Sequence, residues 1–184
     1  MRIAPLEADQ VDKKLQRVYE SLEKQYGTAL NPLRVLAHKP VIMEAVMRLY
    51  GAIHAPNEVL SEELKEMLSV RIAQINGCRS YCVPYHSYML RHLGTPEDKI
   101  QAIAQGSLSP HFSEIERLCL EYAERITVPT TSVSEEFFGK LKAHFSPEDI
   151  VELTAFIGML NFWTKVIDAM EVPLDDIFKA PQGD

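Results

Sequence analysis

The chain has 184 residues, with 26 acidic against 19 basic side chains and a formal net charge of −7. That length suits one domain with a full core, and basic residues that are outnumbered and scattered offer no clustered positive face to DNA or RNA. The stretch Met1 to Glu7 lacks the apolar segment of a secretory signal and no uninterrupted apolar run reaches a bilayer's width, so the expectation is a cytosolic chain without a membrane partner.

Apolar residues recur with helical period almost everywhere, and the alternating Val-, Ile- and Thr-rich runs of strands are missing, which predicts a single all-α domain over residues 1–184. Val11, Leu15, Val18, Leu22 and Tyr26 make the stripe of a first helix closing near Gly27. Asn31-Pro32 then supplies an N-cap and first-turn proline for a short helical piece. A second long helix runs from Val41 to about Ala55 and is stopped by Pro56. Ser61, followed by Glu62 and Glu63, opens a helix to about Asn76, where Gly77 interrupts it. The next is expected over Cys82 to Leu93, with Pro84 fitting only its first turn and Gly94 closing it. Thr95-Pro96-Glu97-Asp98 caps a helix ending near Gly106, and Ser113-x-x-Glu116 reads as a capping box for one to about Ile126. After the loop Thr127 to Ser134, Glu135 and Glu136 start a helix ending near Phe145. Ser146-Pro147-Glu148-Asp149 starts the longest, through Met170, before Val172-Pro173.

The chemistry concentrates in Asn76-Gly77-Cys78-Arg79-Ser80-Tyr81-Cys82-Val83-Pro84-Tyr85-His86. Cys82 and His86 are four residues apart, so on a helix they share a face, and the imidazole can polarise or deprotonate the thiol into the nucleophilic thiolate. Cys78, a turn upstream, gives the attacking sulfur a resolving partner and makes the pair a reversible dithiol/disulfide couple. Glu66 lies twelve positions before Cys78 on the preceding helix, and it can orient or charge-stabilise His86 only if the two helices pack face to face.

Glu66, Ile75-Asn76-Gly77-Cys78, Tyr81-Cys82 and the Cys-x-x-x-His ending at His86 resemble the alkylhydroperoxidase AhpD/carboxymuconolactone decarboxylase family. Asn31-Pro32-Leu33-Arg34-Val35-Leu36-Ala37-His38, Asn161-Phe162, Asp168-Ala169 and Val172-Pro173-Leu174-Asp175 agree, and the likeness runs over roughly residues 30 to 175. The resemblance implies an all-helical homo-oligomer, a trimer or hexamer, that reduces hydroperoxides through a cysteine pair without a cofactor. Carried over by position, Cys82 would attack the peroxide, Cys78 would resolve, and Glu66 and His86 would relay protons. A lipoylated or thioredoxin-like dithiol would restore the reduced pair. The family pair has two intervening residues, whereas Arg79-Ser80-Tyr81 makes three here. In an unbroken helix that spacing puts the α-carbons about 6 Å apart, near the long end of the disulfide range; a helix starting after Cys78, with Gly77 relaxing the turn, removes the strain.

Competing readings of the same residues are inert helix thiols, or a non-peroxidase helical oligomer on the same scaffold that binds a partner or holds zinc through Cys78, Cys82 and His86 with His92 as a fourth ligand. A third is the family's decarboxylase branch, which needs no thiol pair. Cys119, among apolar residues at helical spacing, is expected to be a buried small hydrophobe. His54 closes the helix carrying Tyr50, and favourable interaction with the dipole accounts for it there, although it could reach a pocket. Phe156, Phe162 and Trp163 read as packing residues, on a helix apolar enough for part of its face to meet another subunit.

Overall fold

Serine and aspartate caps set the helix starts. In the computed structural model, which describes residues 1–55 and 59–179, they frame nine α-helices and three short 3-10 turns, with no strand among those residues. The helices are α1 (Lys13–Tyr26), α2 (Asn31–Leu36), α3 (Pro40–Ile53), α4 (Glu62–Asn76), α5 (Cys82–His92), α6 (Glu97–Ala102), α7 (Glu114–Thr127), α8 (Glu135–His144) and α9 (Pro147–Met170). Asp12 accepts from the N–H groups of Lys14 and Leu15, and Ser61, Ser113, Ser134 and Ser146 cap α4, α7, α8 and α9. Each such cap satisfies an orphan donor and contributes about 1 kcal/mol.

α4 is the hub, packing on α5, α7 and α9. Met67, Leu68, Val70 and Ile72 are all buried, so it presents apolar side chains around most of its circumference. The main core joins it to α5, α7, α8 and α9 through Leu90, Leu120, Leu141 and Phe156 respectively. A second cluster gathers Leu15, Tyr19 and Leu22 of α1 with Leu33 and Met43, and a third surrounds the cysteines with Val35, Ala73, Tyr81, Ile167 and Val172. Trp163 of α9 packs against all three. By length and composition α9 could cross a bilayer, although no uninterrupted apolar run announces it. Here one face of it, Ile150, Leu153, Phe156, Ile157 and Leu160, is spent on the protein's own core.

Three boundaries depart from the sequence reading. The cap of α2 is not Asn31: its backbone N–H donates to the Asp175 carboxylate (3.0 Å), so a residue 144 positions away satisfies the helix start. The segment after α6 is 3-10 in character over Ile103–Leu108 and is kinked at Gly106, whose φ of 63° is left-handed and where a Cβ would collide with Glu124 Oε1. Glu124 fills that space while accepting from the Ser107 backbone and hydroxyl and from Arg71. α3 ends at Ile53, and Pro56, its expected stop, lies outside the described residues.

The turn that matters most is at Gly77. Its φ of 79° is left-handed, its N–H closes on Ala73 and Gln74, and the Cys78 N–H also returns to Ala73 O (3.0 Å). The helix therefore stops one residue before the first cysteine, and α5 begins at Cys82 in a new direction. Gly77→Ala forces a side chain into that conformation and should cost about 1 kcal/mol, seen as a lower urea midpoint with unchanged slope; an unchanged midpoint would show that the turn tolerates a Cβ.

Candidate active site

The break at Gly77 puts Cys78 in a turn and Cys82 at the first position of α5, with Pro84 in the first turn where its missing N–H costs nothing. The unbroken helix through both cysteines is not formed; the geometry is the relaxed one, with the helix starting after Cys78. The two Sγ atoms are 2.6 Å apart, both residues are free thiols, and each is 1% exposed. The hydrogen bond between the sulfurs, which either thiol can donate, lowers the Cys78 thiol, and burial opposes this while the backbone N–H groups of Cys82 and Tyr81 assist. The same contact, followed by burial, pushes Cys82 well above an ordinary thiol. A Cys82 thiol lowered by His86 was expected; instead the first negative charge belongs on Cys78, nested against the start of α5.

Packing of α4 on α5 joins the other two residues. Glu66 Oε2 lies 2.7 Å from His86 Nδ1, with side chains 12% and 14% exposed. The face-to-face arrangement that Glu66 required is therefore present. The carboxylate fixes the imidazole's orientation and holds a proton on Nδ1, which leaves Nε2 as the ring nitrogen free to exchange a proton. His86 follows Cys82 by one turn of α5, and both line a cavity of about 250 Å³.

That cavity also exposes residues whose sequence context gave little warning. Its walls include Tyr26 of α1, Tyr50 and His54 from the end of α3, Tyr85 of α5 and Trp163 of α9. Among the described residues no lysine or arginine lines it. Burial raises the Tyr26, Tyr50 and Tyr85 phenols above their ordinary value, so all three stay neutral donors. His54 stacks on Tyr50 with ring centroids 4.0 Å apart and meets the edge of Phe156 at 5.5 Å. Its Nε2 is buried without a hydrogen-bond partner. Lys65, itself buried, donates to the Ile53 carbonyl (2.7 Å) and to Glu152 (2.8 Å), pinning the end of α3 that carries His54. The dipole reading of His54 thus misses its place in the cavity; Tyr50 one turn earlier was the only local signal.

Asp175 is a further residue that spacing did not single out. It accepts from the Tyr81 hydroxyl at 2.7 Å as well as from α2, tying the segment after α9 to the residue just before Cys82. Burial lifts its carboxyl above the usual range, against the pull of the Tyr81 and Asn31 donors. Cys119 is fully buried and raised by burial to about 12, an inert core thiol. Among the described residues no three His, Cys, Asp or Glu side chains form a metal-holding group, and His92 sits exposed, stacked on Tyr88.

With this geometry in place, likeness to known proteins can be read. Residues 40–125 match the carboxymuconolactone decarboxylase family model, spanning α3 to most of α7 and including all four candidate residues. The Escherichia coli (strain K12) protein YnjA is 33% identical over 159 residues, 86% of this chain and 87% of YnjA. The chain belongs to the carboxymuconolactone decarboxylase family, and its fold is that of the AhpD core. An AhpD-core, peroxidase-related protein from Ralstonia eutropha JMP134 has the same fold with TM-score 0.86, at 21% identity, over 96% of this chain and 93% of that one. So does the debrominase Bmp8, solved as a cysteine-to-alanine variant in complex with 2,3,4-tribromopyrrole: TM-score 0.81, 21% identity, 97% of this chain and 94% of that one.

Burial holds His54 near pKa 4, the partly compensating Glu66 charge notwithstanding, against about 6.5 when unfolded. The unfolded chain therefore binds the extra proton first, and the stability this histidine allows is full above pH 6.5 and lost as pH falls toward 4. Between pH 7 and 4.5 it should remove about 2 to 3 kcal/mol from the native chain but not from His54→Phe. Parallel urea midpoints for the two proteins across that range would show that the imidazole is not held neutral.

Proposed function

We propose that the protein is a thiol-dependent peroxidase that reduces hydroperoxides through the Cys78/Cys82 couple with Glu66 and His86 as proton relay. The observation that carries this reading is two buried sulfurs in contact, one of them facing a cavity that also holds a carboxylate-oriented imidazole. Access and charge divide between the sulfurs. Cys82 lines the cavity and Cys78 does not, whereas the electrostatics favour the thiolate on Cys78. Passage of the shared proton from Cys82 to Cys78 across the 2.6 Å contact makes the accessible sulfur the nucleophile.

Cys82 thiolate then attacks the distal peroxide oxygen. A sulfur–oxygen bond forms, the O–O bond breaks, the sulfur is oxidised by two electrons to a sulfenic acid, and the leaving alkoxide takes from His86 the proton that ionisation of the thiol pair had passed to its imidazole. Cys78 thiol condenses with the sulfenic acid, releasing water and leaving a disulfide. An external dithiol, lipoylated or thioredoxin-like, supplies the two electrons and two protons that reset the pair. Exposed apolar side chains on α3, with Val41 73% and Leu49 48% exposed, support assembly into a homo-oligomer.

The decarboxylase alternative is less well served, because no lysine or arginine lines the cavity among the described residues to hold a carboxylate. A second reading has one observation behind it: aromatic walls beside a thiol pair also suit reductive removal of halogen from a heteroaromatic ring, the activity named for Bmp8. There the ring gains hydrogen, halide leaves, and the two thiols become the disulfide. Bromide release from 2,3,4-tribromopyrrole, absent with hydroperoxide turnover present, keeps the first reading.

In an assay driven by a dithiol, Cys82→Ser should abolish peroxide consumption and Cys78→Ser should accumulate a sulfenic acid trappable by dimedone. Retained turnover in Cys82→Ser would reverse the assignment of the sulfurs. Glu66→Gln should lower kcat about a hundredfold with little change in KM, the range expected for a lost proton relay; a KM effect alone would make Glu66 a binding residue instead.

A further inference from the structure

The cysteine turn is anchored by the end of the chain as well as by the helices that flank it. Tyr81, the residue just before α5, is buried, and its φ of −126° and ψ of −67° are neither helical nor extended. The helix it precedes therefore does not dictate where Tyr81 points, and no side chain caps that helix start. Its phenol is fixed by a distant partner instead. The hydroxyl donates to Asp175 Oδ2 at 2.7 Å, and Asp175 Oδ1 accepts from the Asn31 backbone N–H at 3.0 Å. Asn31 Nδ2 donates to the Pro173 carbonyl at 3.1 Å, which ties down the segment that carries Asp175. Tyr81 and Asp175 are both buried, where a polar group is tolerated only with its partners made.

We propose that Asp175 and Tyr81 are positioning residues for the sulfur pair: their phenol–carboxylate contact holds the turn so that the backbone N–H groups of Tyr81 and Cys82 face Cys78 Sγ. The proposal rests on the peroxidase reading in taking the two sulfurs as the reactive unit, and adds the residues that hold one of them ready to ionise. Tyr81 carries the anchored phenol on its side chain and one of the two N–H groups on its backbone. Slack at the hydroxyl thus becomes rotation of the peptide beside the sulfur. The N–H groups, with the Cys82 contact at 2.6 Å, favour charge on Cys78, whereas burial and Asp168 of α9 oppose it. Position and charge give Asp175 opposite signs. Acting by its charge alone, a carboxylate hinders thiolate formation and its removal eases it; acting by position, it keeps the N–H groups in place and its removal hinders ionisation.

Thiolate absorbance at 240 nm of the reduced full chain, with the disulfide form as blank, reads ionisation of the pair without turnover. Tyr81→Phe, which keeps the buried ring, should move the first thiolate step upward by about one pH unit, and Asp175→Ala should move it in the same direction. The double variant should move it no further than the larger single shift, because both substitutions remove one contact. Ser113→Ala, which removes the α7 cap, should lower the urea midpoint and leave the step in place. Peroxide consumption by Tyr81→Phe should be about tenfold slower than wild type at a pH below both steps and equal to it above both, as a one-unit shift in thiolate fraction requires. A step unmoved in Tyr81→Phe, lowered in Asp175→Ala, additive in the double variant, or moved equally by Ser113→Ala overturns the inference. Raised steps in Tyr81→Phe and Asp175→Ala, with no hydroperoxide consumed by the wild-type chain, uphold the positioning contact and overturn the peroxidase reading instead.

Discussion

The packing of α4 against α5 is the constraint on which the site depends. It brings Glu66 to His86 at 2.7 Å, and the left-handed turn at Gly77 that lets α5 fold back also sets Cys78 against Cys82. A straight continuation of α4 would carry both cysteines away from Glu66 along one axis. Helix geometry alone therefore could not assemble the site; a stop, a three-residue turn and a fresh helix start do. The additional residue between the cysteines is absorbed in that turn.

The rest of the fold supports this pairing from behind. α9 backs α4 and sends Trp163 into the junction of the three apolar clusters, so the cavity wall is also a structural keystone. Asn76, at the last position of α4, donates to both Asn161 and Thr164 of α9, which fixes where the helix ends relative to the turn. On the other side Asp175 ties Tyr81 to the start of α2. Each polar anchor is buried or half-buried and partnered, as stable interiors require, and the unpartnered His54 nitrogen stands out against that background.

Local chemistry made most of the helices legible. Ser61 with two glutamates, the Ser113–Glu116 box and Ser146-Pro147 act over three or four residues, and these starts lie where their caps place them. The Cys78, Cys82 and His86 cluster was visible for the same reason, and Glu66 became a candidate through the family resemblance. What spacing could not reveal was long-range. Asn31 looked like a self-sufficient cap, yet its helix is completed by a carboxylate at the far end of the chain. Tyr26 and Trp163 carry ordinary stripe positions, and nothing local shows that α1 and α9 converge on a cavity. The spacing of Cys82 and His86 also gave no sign of the contact between the two sulfurs, whose hydrogen bond, more than any neighbouring group, lowers the Cys78 thiol.

The central claim is that the two touching sulfurs form one redox unit whose cavity-facing member meets the oxidant. Mass spectrometry of the reduced chain after a single equivalent of hydroperoxide, with the chain then unfolded in denaturant containing excess alkylating agent, tests it most directly. The account predicts loss of two hydrogens, a Cys78–Cys82 crosslink and an alkylated Cys119. Sulfur oxidation at Cys119, or a chain that leaves the pulse with all three thiols free, would contradict it.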